Sequence, residues 1–220
     1  MLTVHHLRRS QSERIVWLCE ELGLDYALKC YARDPATMLA PPEYRALHPM
    51  GTAPVITDGD VVLAESGAIV DYILARYGNG LARAPDHPDF ARYLFWFHYA
   101  NGTLQLQMMR NFALRRAGVA EDNPVRRLAA ERLERNLKLV EARLGAANYL
   151  AGPELTAADI MAVFSLTTMR SFFPLDLTPY PNTLAYLARI GQREAYQRAM
   201  KKGDPELTPV LTAKVARSGS

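Results

Sequence analysis

Apolar and polar side chains alternate through Leu2-Thr3-Val4-His5-His6, the two-residue period of a strand. After a polar loop from Arg8 to Ser12 the period changes. Ile15, Leu18, Cys19 and Leu22 recur at helical spacing, and Gly23 supplies a stop. Tyr26 to Tyr31 reads as a second strand, and Asp34 to Pro49 as irregular or weakly helical. Ala53-Pro54-Val55-Ile56-Thr57 and Val61-Val62-Leu63-Ala64 flank an Asp58-Gly59 turn and form a hairpin. From Ser66, the positions Ile69, Val70, Ile73 and Leu74 mark a helix that closes at Gly78. The order is β-α-β, a joining segment, then β-β-α.

Beyond that the pattern is helical only. Asn79 to Pro88, with Gly80, Pro85 and Pro88, reads as a linker. Phe90 to Leu114 is a long aromatic-rich helical region. Asn123-Pro124 gives an N-cap with proline at the first helical position. Val125, Leu128, Ala129, Leu133, Leu137, Val140 and Leu144 then keep a 3.6-residue period to Gly145. Glu131–Arg135 and Glu134–Lys138 are spaced for i,i+4 pairs on its wet face. In Leu155-Thr156-Ala157-Ala158-Asp159-Ile160, Thr156 and Asp159 are spaced as a capping box, with Leu155 and Ile160 as a hydrophobic staple. The tail after Lys201 is polar and is expected to wrap the surface or fray. The expected organisation is a first domain over 1–79, a linker over 80–88 and an all-α domain over 89–220.

Composition narrows the function classes. The 220 residues are 49% hydrophobic and 22% charged, with a formal net charge of +3. Basic residues alternate with acidic ones, which suits small anions but is too diffuse for a nucleic-acid reader. No stretch approaches a membrane span, and the first thirty residues do not read as a signal peptide, so a cytoplasmic protein is expected. Cys19 and Cys30 make neither a C-x-x-C pair nor a metal set. Cys19 falls on the apolar face of its helix and reads as inert core. His5 and His6 point to opposite faces of a strand and cannot share an ion, so one is expected packed, the other exposed, and no metal is expected.

Three features of the first domain carry chemistry. Ser10-Gln11-Ser12-Glu13-Arg14 lies where a strand gives way to a helix, whose N-terminus favours an anion. A serine hydroxyl there can donate to a thiolate, although Ser10-x-x-Glu13 is also a capping box. Ala53-Pro54 opens a strand with a residue that cannot join the ladder, so nearby backbone groups stay open to a ligand. Glu65-Ser66 ends a strand and starts a helix. Ser66 is placed either to cap it or to bind a carboxylate, and Glu65 can take an ammonium.

In this order and spacing the chain resembles the cytosolic glutathione transferases along nearly its whole length. Segments similar to their serine-type branch in fungi and bacteria include Ser-x-Ser-x-Arg leading into Trp17-Leu18-Cys19-Glu20-Glu21-Leu22-Gly23-Leu24. Others are Ala40-Pro41-Pro42-Glu43, His48-Pro49-Met50-Gly51-Thr52-Ala53-Pro54-Val55, Leu63-Ala64-Glu65-Ser66-Gly67-Ala68-Ile69 and Leu155-Thr156-x-x-Asp159-Ile160. The resemblance implies an α+β fold, a thioredoxin-like domain (βαβ-ββα) followed by an all-helical domain. It implies that Ser10 activates the thiol of glutathione, with Ser12 as runner-up. Ala53, ahead of a cis-Pro54, would pair with the cysteinyl backbone, and Glu65 and Ser66 would hold the γ-glutamyl end. Thr52 stands where relatives often carry lysine for the glycine carboxylate, and Asn101 where many carry an acidic residue. Tyr99, Asn101, Met108 and Phe112 are expected in the electrophile pocket, alongside Met109, with core packing as the competing role.

The implied activity is conjugation of glutathione to small hydrophobic electrophiles, as in detoxification. Glutathione is the co-substrate and a homodimer the expected assembly. Two alternatives stay open: glutathione-dependent reduction of peroxides or disulfides on the same scaffold, and a non-catalytic glutathione-binding or assembly module.

Overall fold

The structure, a computed structural model, describes residues 1–78 and 80–215. Asn79, the last residue of the expected first domain, and the end of the tail from residue 216 lie outside the described residues. The chain divides into two compact units: Met1–Ala82 with Ile190–Pro209, and Arg83–Arg189 with the chain from Val210.

In the first unit β1 (Leu2–Leu7), β2 (Ala27–Tyr31), β3 (Val55–Asp58) and β4 (Val61–Ala64) form one sheet in the order β2-β1-β3-β4. β1 runs parallel to β2, from Thr3 opposite Ala27 to Leu7 opposite Tyr31, and α1 (Glu13–Leu22) makes the crossover. β3 is antiparallel to both β1 and β4, with His5 opposite Val55. Gly23 ends α1 at φ +62°, a left-handed conformation that a β-carbon disfavours. The short α2 (Pro42–Arg45) follows, and α3 (Ser66–Tyr77) closes the β-β-α half.

Both faces of the sheet are covered. Ile15, Leu18, Ile69 and Ile73 from α1 and α3 are wholly buried, as are Val4 and Ile56 of the sheet. A second cluster gathers Leu7, Tyr31, Tyr44, Ala53, Val55 and Ala64. The expectation of one exposed histidine therefore fails, because a sheet covered on two sides buries both His5 and His6. His5 takes Tyr31 and Thr57 as hydrogen-bond partners at 2.9 and 3.2 Å.

Residues 190–209, read from sequence as part of the helical domain, belong to the first unit. The reason is the apolar face of α9 (Glu194–Gly203): Ala195, Tyr196, Ala199 and Met200 are all buried. Tyr196 meets Trp17 of α1 edge-to-face, with ring centroids 5.1 Å apart. Charged residues frame that contact. Arg193 forks onto Glu21 at 2.6 and 2.7 Å, and Arg198 and Lys202 converge on Glu20 at 3.1 and 2.5 Å. The helix continues past Lys201 to Gly203, and Asp204 is buried, so this stretch neither frays nor wraps.

The second unit is helical and, among the described residues, holds no strand. The long helical region of residues 90–116 appears as α4 (Phe90–Tyr99), a π-helical segment (Ala100–Gln105) and α5 (Leu106–Arg116). α6 (Pro124–Ala146) starts as expected, with the Asn123 side chain accepting the Val125 N–H at 2.9 Å. Glu134 and Lys138 pair at 2.6 Å on its surface. α7 (Ala157–Leu166) is buried on every side, and its one charged residue, Asp159, is fully satisfied. Asp159 accepts the N–H groups of Leu150 and Thr156 and the Tyr186 hydroxyl. Leu155 and Ile160 are buried as the staple requires. α8 (Pro181–Gly191) leads to the unit boundary. Residues 210–213 are fastened by buried Arg170, which donates to the carbonyls of Thr212 and Ala213 at 2.9 and 2.5 Å.

Candidate functional site

The turn from β1 into α1 brings Ser10 and Ser12 together, Oγ to Oγ at 2.8 Å. Ser12 is the N-cap of α1 and makes no side-chain cap hydrogen bond. The Ser10 Oγ instead accepts the Ser12 N–H at 3.2 Å, and the Glu13 N–H goes to the Ser10 carbonyl at 3.1 Å. Both hydroxyls are thus diverted from the capping that the pattern allowed. Ser10 retains 5% exposure while Ser12 has none, so Ser10 is the hydroxyl nearer to solvent. The first-turn N–H groups are taken up within the turn, and the partial positive charge of the helix end acts at the same place.

The other two features are joined to this turn by side chains that the sequence reading did not single out as a link. Gln11 donates from Nε2 to the Ala53 carbonyl at 2.9 Å, and its Oε1 accepts from Arg14 Nη1 at 2.9 Å. The same Arg14 nitrogen is 3.3 Å from Ser66 Oγ. One bridge, Ala53–Gln11–Arg14–Ser66, therefore sets the serine turn, the β3 entry and the α3 entry in register. Burial pushes the Arg14 guanidinium down to about 9, against the pull of Glu13 and Glu65, which leaves it charged at neutral pH. The Ser-x-Ser-x-Arg spacing was the available signal for Arg14. Gln11 carried none.

The Ala53–Pro54 peptide bond is cis. The second lone pair of the Ala53 carbonyl remains for a peptide N–H. The α3 entry differs from expectation. Glu65, not Ser66, is the N-cap, at φ +77° and ψ +120°, and its own carboxylate accepts the Ser66 N–H at 3.1 Å. Such a left-handed non-glycine residue costs about 1–3 kcal/mol, which accumulates at ligand sites. Ser66 is wholly buried and turned to Arg14, whereas Glu65 and Thr52 are exposed.

These groups offer a ligand different chemistry. Ser10 presents a hydroxyl, Ala53 a backbone carbonyl and exposed Glu65 a carboxylate. The Ser66 N–H is held by Glu65, while its hydroxyl accepts from Arg14 and keeps its own proton to donate. Thr52 offers a hydroxyl and no cation.

The predicted electrophile residues separate. In the second unit a cavity of about 320 Å³ is lined by Met108, Asn111, Phe112, Leu133 and Phe173, with Arg115 at its polar side. Phe112 and Phe173 meet edge-to-face at 4.1 Å. Of the expected electrophile residues, Met108 and Phe112 line this cavity. Tyr99 and Asn101 do not line this cavity. Tyr99 packs on Phe95 and Trp96, and its hydroxyl donates to the Asn136 carbonyl at 3.1 Å, which is a core role. Asn101 lies in the π-helical segment. Met109, with 48% exposure, is also outside the cavity lining.

Cys19 is wholly buried, and burial followed by the charge of Glu20 pushes its thiol up to about 12. Cys30 is exposed, and burial of its sulfur raises that thiol too. Neither is placed or poised as a nucleophile. Among the described residues no helix is long and apolar enough to cross a membrane.

Comparison with known proteins is consistent along the chain. The family description "Glutathione S-transferase, N-terminal domain" matches residues 9–76, and "Glutathione S-transferase, C-terminal domain" matches 117–189. Glutathione S-transferase 3 of Schizosaccharomyces pombe is 28% identical over 92% of this chain and 88% of its own. Glutathione S-transferase 3 of Zea mays is 31% identical over 85% and 87%. A crystal structure of a glutathione S-transferase from Actinobacillus pleuropneumoniae covers 96% of this chain and 99% of its own, with 32% identity and a TM-score of 0.85.

Proposed function

The chain belongs to the glutathione S-transferase family and is a glutathione transferase, and from that premise we propose that it conjugates the thiolate of glutathione to small hydrophobic electrophiles, with Ser10 as the hydroxyl that meets the sulfur. The observation that carries this is the pair of serine hydroxyls at the N-terminus of α1, 2.8 Å apart and diverted from capping.

The magnitudes are adequate. A thiol of pKa about 8.5 is about 3% ionised at pH 7, and lowering that pKa by two units takes about 2.7 kcal/mol. One charge-assisted hydrogen bond contributes about 1.5–3 kcal/mol and a helix terminus about 0.3–1. Nucleophilicity falls with pKa at a slope near 0.4–0.5, so a gain of about 25-fold in thiolate becomes about threefold in rate. The greater part of the acceleration then comes from holding the electrophile in place. The cavity bounded by Met108, Phe112 and Phe173 is our candidate for that, since its volume of about 320 Å³ suits a small apolar molecule.

A reductase route through a protein thiol is disfavoured by the burial of Cys19. We assign the protein to the cytoplasm as a homodimer, on the resemblance to cytosolic transferases and on two cysteines that stand as free thiols.

The test is an ultraviolet titration of thiolate absorbance for glutathione bound to the purified protein. The expected result is a bound-thiol pKa well below that of free glutathione, returning towards it in Ser10→Ala. Tight binding with an unshifted thiol would overturn the assignment and favour a non-catalytic binding module.

A further inference from the structure

Ser12 stands between two groups that compete for its single proton. Its Oγ is 2.8 Å from Ser10 Oγ and 2.9 Å from Nδ1 of His6, and it accepts the Leu7 N–H at 3.1 Å. His6 is wholly buried, and its Nε2 lies 3.0 Å from Oδ2 of Asp204. The other Asp204 oxygen, Oδ1, accepts the N–H of Arg9 at 3.0 Å. The carboxylate that holds the imidazole therefore also holds the turn that carries Ser10. All of these residues lie in the first unit.

The hydrogens follow from donor and acceptor capacity. A carboxylate only accepts, so Nε2 carries the hydrogen and Nδ1 of the neutral ring is a bare acceptor. The Ser12 proton then points to Nδ1, which at 2.9 Å is closer than the competing Leu7 carbonyl at 3.3 Å. Ser12 Oγ has one lone pair left after the Leu7 N–H, and the Ser10 hydroxyl donates to it. Ser10 Oγ accepts the Ser12 N–H and keeps one lone pair. In the resting protein both hydroxyls thus point inward, towards His6, and Ser10 presents an acceptor to an incoming S–H group.

We propose that His6, seated on Asp204, takes up the thiol proton of glutathione through Ser10 and Ser12. This rests on the assignment of Ser10 to the thiol. The S–H bond breaks with its electron pair left on sulfur. That proton passes to Ser10 Oγ as the Ser10 proton passes to Ser12 Oγ and the Ser12 proton to Nδ1. A thiolate and an imidazolium result, and nothing is oxidised or reduced. Every hydroxyl has now reversed, so Ser10 donates to the thiolate that it helped to form. Once sulfur is bonded to carbon, the same hydroxyls return the proton to solvent or to the leaving group.

In water, a thiol and an imidazole differ by about two pKa units, a factor of about a hundred against the transfer. The α1 N-terminus beside the sulfur acts to close that gap, and the Asp204 carboxylate fixes the ring so that Nδ1 faces Ser12. Cys30 is the register partner of His6 on β2, and its sulfur lies against the carbonyls of Lys202 and Gly203. His6 does not touch the substrate, so it is a positioning residue that also stores the proton.

The test is to mix glutathione with the full chain at about pH 7.5 in weak buffer, above the ordinary imidazole range. Proton release is read with an indicator and thiolate by its absorbance. The expected count is well below one proton released per thiolate formed. In His6→Asn it returns to one, while kcat/KM falls about a hundredfold, the lower end for a lost proton acceptor. Asp204→Asn keeps the shape and is expected to lower thiolate yield with little change in glutathione affinity. It serves as the second variant if His6→Asn does not fold. One proton released per thiolate in the unaltered protein would overturn the proposal. So would a Ser10→Ala variant that loses the thiolate while His6→Asn still releases well below one proton per thiolate and Asp204→Asn keeps the full thiolate yield, and in that case the Ser10 assignment would survive alone. Absence of thiolate in the unaltered protein would overturn both.

Discussion

Gly203, the last residue of α9, lies so close to the His6 imidazole that a β-carbon on it would sit 2.9 Å from Nε2 and 3.2 Å from Cδ2. Both ring nitrogens are already bonded, so the ring cannot swing aside without giving up Asp204 or Ser12. In an ordinary helix, glycine to alanine is stabilising by about 0.5–1 kcal/mol. Here Gly203→Ala is expected to destabilise by about 1–3 kcal/mol through overpacking. Urea unfolding measures the sign, and a stabilised variant would show that the ring is free to move.

Asp159 is charged, wholly buried and bonded to two backbone N–H groups, the Thr156 hydroxyl and Tyr186. Burial pushes its carboxyl above the ordinary range, and those four bonds pull the other way. Asp159→Ala leaves the partners unsatisfied in a helix with no solvent-facing side, and a loss of about 3–5 kcal/mol is expected. Tyr186→Phe removes one bond and is expected to cost about 1 kcal/mol. Chemical denaturation of the two variants side by side checks the ratio.

The acid limb of stability should depend on Glu20. Burial alone raises this carboxyl, but hydrogen bonds from Lys202, Tyr26 and Arg198 overcome it and hold it below the usual value. A carboxylate depressed in the folded state stabilises fully above its unfolded value, about 4.3, and the contribution fades as pH falls through the lower folded value. Acid should therefore loosen α9 from α1. Unfolding free energies between about pH 6 and pH 3 are expected to fall less steeply in Glu20→Gln, which is already weaker at neutral pH.

Arg14 donates to Gln11 and Ser66 from one nitrogen of a wholly buried guanidinium, and the compact, more strongly hydrated ammonium of lysine is a poor occupant of that position. In Arg14→Lys the KM for glutathione is expected to rise about tenfold, with kcat reduced less. Steady-state kinetics with varied glutathione gives the split. A fall in kcat at constant KM would show that Arg14 acts on the sulfur turn and not on the peptide cradle.

In the first unit β1, the β3–β4 hairpin, α1 and α3 were legible because each declares itself locally. Period-two alternation marked β1, the Asp58-Gly59 turn marked the β3–β4 hairpin, and Gly23 and Gly78 ended their helices. Asn123 and the Thr156–Asp159 pair announced α6 and α7, since a cap is a contact between residues two or three apart. The same locality misled at Glu65-Ser66. Ser66 suits an N-cap by type, but the backbone geometry made Glu65 the cap.

Sequence by itself determined the order of elements, the two halves of different composition and the short motifs where strand meets helix, because those depend on neighbours along the chain. Tertiary structure alone decided what surrounds Ser10. Asp204 reaches His6 across 198 residues, and Gln11 and Arg14 reach Ala53 and Ser66 across 42 and 52. It also assigned α9 to the first unit, because burying Tyr196 against Trp17 is a property of two faces meeting and leaves no periodicity at either one to name its partner.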